Sequence, residues 1–469
     1  IQHLINMLLR TICNGHHFEG KNYTIKLTRS DSMKQKIKTI LCLGTAMMIS
    51  ITPVYDAGAE KINAYQTQNI ETGAAASLQK WNITNEVTGT INNVSYNAYI
   101  SADTKECWIY RITIDGAIET VNFPNEINGA KVTKIGGAKE LLGNTADDDL
   151  FIDILGNSLD VGEKIDDVAG DVRSNIKNIV LPDSLTSIGS MALFEFDKVE
   201  NVAIPDSVEN IEAYAFGMCT SIKGMVLPQN LGDIDEKAFY KCSSLETLTV
   251  SHANTKYAAN NNVLLSKDGK KLYLSAPAVK KVNIPDGVET LGNEAMVTSY
   301  ADEINIPATV KKMSHDSLSL NKAARVNINK KNKVFAKKHE GIYNKKTGVL
   351  ACIIVDKGKV VIPEKVKVIN ESVSVMGSGK TIKKLILPKS LKKLSGAWMM
   401  SIKELKSVCF KNQTPPSVKK STVHSGYEVK PIFCKVYVPK KAKSKYIKWR
   451  LKGEKYSEIN DLWIKVIGY

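Results

Sequence analysis

The chain has 469 residues, 43% hydrophobic and 24% charged, with a formal net charge of +16. That length exceeds one ordinary domain and leaves two readings: two or three such domains, or a single repeat array of a dozen or so turns. The charge is unevenly placed. Residues 311–469 hold 37 Lys+Arg against 10 Asp+Glu, and residues 60–310 hold 20 against 35, about +27 and −15. No nucleic-acid-binding motif accompanies the lysines, so nucleic acid is not an expected partner.

The first 59 residues read as targeting sequence. From Met33, the expected start, a basic stretch (Lys34, Lys36, Lys38) precedes an apolar run from Thr39 to Val54 and the small-residue site Ala57-Gly58-Ala59. This is the layout of a secretory signal peptide cleaved at Ala57 and Ala59, and its apolar run is short and interrupted for a membrane span. An N-terminal anchor at 37–54 is the alternative. Export predicts a mature protein outside the cell or on its surface, with no membrane span after signal removal. Residues 60–106, rich in Asn, Thr, Ala and Gln with weak periodicity, are expected to be a loosely ordered lead or a small cap.

A 23-residue period then begins, led by Ile176, Val199, Ile222 and Leu245. Pro182, Pro205 and Pro228 stand six residues into the first three lines, followed by the apolar pairs Leu185/Ile188, Val208/Ile211 and Leu231/Ile234. Ala192, Ala215 and Ala238 come ten residues after each proline, and Phe196, Cys219 and Cys242 fourteen after. Such a period marks a solenoid, whose turns bury their apolar faces only by stacking on neighbours. The alternation ahead of each proline predicts a short half-buried strand. Proline ends that strand because it has no N–H for the ladder.

These residues resemble the BspA-like leucine-rich repeat surface protein family. The resemblance covers roughly 107–460, including the opening turn from Val121 to Gly136, longer inserted turns at Asn254–Gly269 and Asn332–Gly348, and a closing cap from Val436 to Tyr446, with 461–469 as its end. It implies an α/β solenoid: a leucine-rich repeat with a parallel β-sheet on the concave face and short irregular or helical convex segments. It also implies a non-catalytic adhesion module binding host or bacterial surface proteins or matrix. Turns near Ile304 and Val360 lack the usual alanine-aromatic pair, and residues 140–175 fit no repeat.

Strand alternation names the outward positions on the concave face. One column is Asn283, Asn305, Asn327, beside Lys281, Glu303, Arg325. Farther on, Val361, Ile386, Cys409 and Tyr437 form a more apolar line beside Lys359, Lys384 and Lys435. These are the candidate binding residues, although like residues stacked along parallel strands also stabilise a sheet without binding anything. The basic second part could attract an anionic glycan or wall polymer, or could be a solvated lysine surface. No catalytic residue, metal site or cofactor is expected: His252, His315, His339 and His424 are scattered, and the acidic cluster Asp147, Asp148, Asp149 with Asp153 lacks calcium-loop spacing. Cys219 and Cys242, one period apart, are expected as stacked buried thiols, and a Cys409–Cys434 bridge is disfavoured because Cys434 sits one place off the column.

Overall fold

Many of the repeat prolines are followed by a tight turn whose bonds recur along the chain. The Pro182 carbonyl accepts from the Leu185 N–H at 3.0 Å, Pro205 from Val208 at 3.0 Å and Pro363 from Val366 at 3.0 Å. In the regular turns the chain therefore doubles back after the front strand and lays a second extended pair beside the core. In the computed structural model this produces a β-solenoid of about 11 turns with little helix. The structure describes residues 86–469 except 102, 138–149, 153, 155–157, 161–171, 315, 320–324, 356–357, 371–372, 378–381, 396–404, 420–433 and 453–462. They fall within one compact unit, Ser77–Leu141 with Thr145–Tyr469. Ala57, Ala59, Asp147 to Asp149, Asp153, His315 and His424 lie outside the described residues.

The front ladder is parallel, as the repeat phrase predicts. Thr120–Asn122 pairs with Asn178–Val180, and Gly224–Leu227 with Thr247–Val250. Lys281–Asn283, Glu303–Ile306 and Arg325–Ile328 form a three-stranded piece, and a five-stranded piece runs from Lys359–Val361 through Lys384–Leu387, Ser407–Phe410 and Cys434–Val438 to Trp463–Gly468. The line Val199–Pro205 differs from the phrase it repeats, because no strand forms there and the sheet is interrupted between Asn178–Val180 and Gly224–Leu227.

The opposite side is more extended than the expected irregular or helical segments. Ala130–Ile135, Ser187–Ile188, Asn210–Ile211 and Asp233–Ile234 make a second parallel ladder that points Ile135, Ile188, Ile211 and Ile234 into the core. Among the described residues, helix is confined to the 3-10 turns Val172–Asn175 and Lys440–Ala442 and to α1, Lys443–Lys452. A third set of rungs joins the corners that follow: Leu193 N–H donates to Ala215 O at 2.8 Å, and Phe216 N–H to Ala238 O at 2.9 Å. These corners need left-handed backbone at residues that are not glycine, namely Met191, Glu195, Tyr214, Met218 and Lys241, with φ of 53°, 62°, 58°, 60° and 57°. That conformation is costly for L-residues, and the inter-turn rungs offset it.

Ala192, Ala215 and Ala238 are fully buried where these corners meet the core, and Phe216 stacks on Phe239 with ring centroids 5.6 Å apart. Gly136, at φ +66°, faces this stack: a Cβ there would lie 2.5 Å from the Ala192 Cα, so the position admits only glycine. The inserted turns are β-hairpins, Tyr257–Asn260/Val263–Ser266 and Phe335–Lys338/Gly341–Asn344. Each is pinned by one buried asparagine. The Asn254 amide donates to Pro228 O at 2.9 Å and Leu231 O at 3.0 Å while its oxygen accepts from the Lys256 and Tyr257 N–H groups. Asn332 repeats this with Pro307, Val310, Val334 and Phe335.

At the start, Glu86–Ile91, Val94–Ile100 and Glu106–Ile114 form an antiparallel meander, and the last of these pairs in parallel with Ala130–Ile135. Asn92 and Asn93, at φ 48° and 63°, make its two-residue hairpin turn, a geometry asparagine tolerates. At the other end Tyr446 of α1 is buried against Phe410, ring centroids 5.1 Å apart, and its hydroxyl donates to Asn412 Oδ1 at 2.8 Å.

Candidate functional site

The front sheet presents its alternate residues outward because the intervening ones are buried. Val282, Ile304 and Val326 point inward from the central strands, and Val360, Leu385, Val408 and Val436 from the terminal ones. Between these inward residues and their neighbours, two outward columns run along each piece of sheet. All twelve candidate residues lie in them, in two panels.

In the central panel Lys281, Glu303 and Arg325 are in register, as are Asn283, Asn305 and Asn327. The Asn305 amide donates to Asn283 Oδ1 and the Asn327 amide to Asn305 Oδ1, both at 2.8 Å. Asn305 also donates to Glu303 Oε1 at 3.0 Å. Glu303 sits between two cations, Lys281 Nζ at 3.2 Å and an Arg325 guanidinium nitrogen at 2.6 Å. The hydrogen bond from Asn305 and then that from Lys281, with the field of Arg325, hold the Glu303 carboxyl below its ordinary value. The panel satisfies itself.

The terminal panel has the same backbone register and a different surface. Lys359, Lys384, Ser407 and Lys435 are aligned across four strands, and Val361, Ile386, Cys409 and Tyr437 beside them. The apolar column is half-buried and the lysines are exposed. Among the described residues no carboxylate lies within ion-pair distance of Lys359, Lys384 or Lys435, whereas Lys411, just past its strand, pairs with Glu364 at 2.8 Å. The panel therefore offers unpaired positive charge along one line and aliphatic and aromatic surface along the next.

Sequence reasoning missed part of the same face. Val180 and Val226 stand on the outward column of the earlier strands and are 50% and 62% exposed. Strand alternation would have named them, since each precedes a buried leucine, Leu181 or Leu227.

Cys107, Cys219, Cys242, Cys352 and Cys409 are free, and of these five all but Cys409 are buried. Cys409 lies opposite Tyr437, while Cys434 lies opposite Trp463. Cys219 donates its thiol to Leu193 O and Cys242 to Phe216 O, each at 2.9 Å, so the stacked thiols bond along the corner column. Burial pushes the Cys219 thiol up to about 12 and that of Cys242 well above its ordinary range. Among the described residues no group of three or more His, Cys, Asp or Glu side chains could hold a metal ion. No helix of the described residues is long and apolar enough to cross a membrane.

Stacked turns with an open sheet face define a leucine-rich repeat solenoid, a fold that serves as a scaffold for protein interaction. Residues 163–263 and 269–339 match the model of the BspA type leucine rich repeat region, in six copies. Over those residues the turns are BspA-type leucine-rich repeats. No curated protein matches it. Among solved structures it is similar to a leucine rich cell surface protein from Faecalibacterium prausnitzii A2-165, at 17% identity over 69% of this chain and 94% of that one, with a TM-score of 0.35. The pneumococcal vaccine antigen PcpA is similar at 14% identity over 82% and 98%, with a TM-score of 0.33. A leucine-rich repeat protein from Eubacterium ventriosum ATCC 27560 is similar at 17% identity over 70% and 79%, with a TM-score of 0.32. At these scores the likenesses carry no further conclusion.

Proposed function

We propose that this chain is a secreted or cell-surface bacterial adhesion module, without catalytic activity, that binds host or bacterial surface proteins or matrix through its front sheet. In this reading 1–59 is removed on export, 60–106 is a lead or cap, and 107–460 is the binding solenoid closed by 461–469. The observation that carries it is the terminal panel, where a half-buried apolar column lies beside exposed lysines that, among the described residues, have no carboxylate partner. A partly apolar centre rimmed by charge is the composition of a protein contact surface. A second reading, retention on an anionic glycan or wall polymer, is favoured by the +27 balance of residues 311–469.

Salt separates the two. The mature chain from Glu60 onward is incubated with fixed cells, matrix proteins and anionic glycans at roughly 50 and 200 mM salt, a range over which polyanion binding collapses through counterion release. Retention on a protein target at the higher salt is the expected result. Retention on glycans alone, lost at the higher salt, moves the function to the second reading.

A further inference from the structure

We propose that the terminal panel takes an acidic protein segment that also carries aliphatic side chains, so that carboxylates meet Lys359, Lys384 and Lys435 while apolar groups cover Val361, Ile386 and Tyr437. This inference rests on the protein-binding reading above and names the chemistry of the partner.

The argument starts from charge. On the central panel the two cations already share Glu303, and the asparagines already bond to each other. An incoming anion there must compete with contacts that exist. On the terminal panel the lysines are exposed, aligned by the ladder and, among the described residues, without a carboxylate partner. Neighbouring strands of a sheet are about 4.8 Å apart, so like charges on adjacent strands repel and an anion laid across them relieves that repulsion. The Coulombic gain is largest for a ligand that also excludes water.

Water exclusion is what the second column provides. Val361, Ile386, Cys409 and Tyr437 lie two residues along the strands from the lysine line, in register with one another and half-buried. A sulfated or phosphorylated polymer would neutralise the lysines and leave these side chains wet. A protein segment with acidic and aliphatic residues satisfies both columns, and its apolar contact keeps the complex from dissolving in salt.

The test uses the mature chain and three probes: a short alternating Glu-Val peptide, poly-glutamate, and heparin. The expected result is that the Glu-Val peptide binds tightest and is retained at roughly 200 mM salt, while poly-glutamate and heparin are released. The triple variant Lys359→Glu, Lys384→Glu, Lys435→Glu should weaken Glu-Val binding on the order of tenfold or more. Ile386→Ser should make the remaining binding as salt-sensitive as that of poly-glutamate, and Lys281→Glu should leave it unchanged. Unchanged melting of each variant establishes that the surface alone was altered, and Lys384→Gln provides a milder check.

Heparin binding as tightly as the Glu-Val peptide at the higher salt overturns the proposal in favour of a polyanion ligand. Glu-Val binding that survives the triple change also overturns it. If the chain is captured by surface or matrix proteins and the triple variant keeps that capture, the protein-binding reading stands and this inference alone falls. Binding to none of the peptides and to no surface protein takes down both.

Discussion

The central and terminal panels are built on one backbone pattern and differ in whether their outward side chains are already paired. Both place an outward residue, an inward aliphatic and a second outward residue on successive positions of parallel strands, in matched register. In the centre the outward residues are Lys-Glu-Arg and Asn-Asn-Asn, which bond along the sheet. At the end they are lysines with a serine, and Val-Ile-Cys-Tyr: among the described residues the lysines meet no carboxylate, and the second line is apolar but for Cys409, which meets the Tyr469 hydroxyl. A solenoid turn therefore fixes where a side chain points, and the choice of residue decides whether that place is structural or available.

Four comparisons sharpen the contrast. The largest effect should fall below the surface, where the panels are equivalent. Ile304 and Leu385 are both fully buried, and Ile304→Ala and Leu385→Ala should each cost about 2–5 kcal/mol. Equilibrium denaturation measures this; a terminal cost of a few tenths beside a central cost of several would deny that the two share one kind of core. Next comes the asparagine ladder. Asn305→Ala removes two donated bonds and one accepted bond and should cost about 1 kcal/mol, whereas Lys384→Gln should stay within about 0.5 kcal/mol.

The pH response is smaller, and of the outward residues of the two panels it involves the central Glu303. The folded Glu303 carboxyl titrates below its unfolded value of about 4.3, so its stabilisation is complete above that value and is lost as pH falls through the lower folded pKa. Glu303→Gln should flatten this acid limb of the stability curve, and an unchanged limb would show that the Lys-Glu-Arg line contributes nothing to it. Last, thiol reactivity should single out the terminal panel. At pH 8 a maleimide should label Cys409 in the folded chain well before Cys219 or Cys242, whose thiols are buried and pushed up. Peptide mapping of the labelled protein reads the order directly.

Much of this was legible in the sequence because a repeat states its geometry many times. The 22-residue spacing of Asn283, Asn305 and Asn327 is the register the strands adopt, and the same alternation aligned Lys359 with Lys384 and Ile386 with Cys409. What was not legible depends on relations between turns. The left-handed corners at Met191, Glu195, Tyr214, Met218 and Lys241 carry no glycine to announce them, and inter-turn rungs hold them in place. The second ladder at Ile188, Ile211 and Ile234 is two residues long in each turn, too short for periodicity to reveal. That Lys281 and Arg325 converge on Glu303, while Lys359 and Lys384 meet no carboxylate among the described residues, is a matter of neighbours, which column spacing alone does not separate.

The most direct measurement is lysine footprinting. The mature chain is acetylated free in solution and while retained on a surface-protein target, and the modified lysines are compared by mass spectrometry. Protection of Lys359, Lys384 and Lys435 with Lys281 unprotected is the predicted pattern. Protection of Lys281 with the three terminal lysines as reactive as in the free chain would contradict it and place the contact on the central panel.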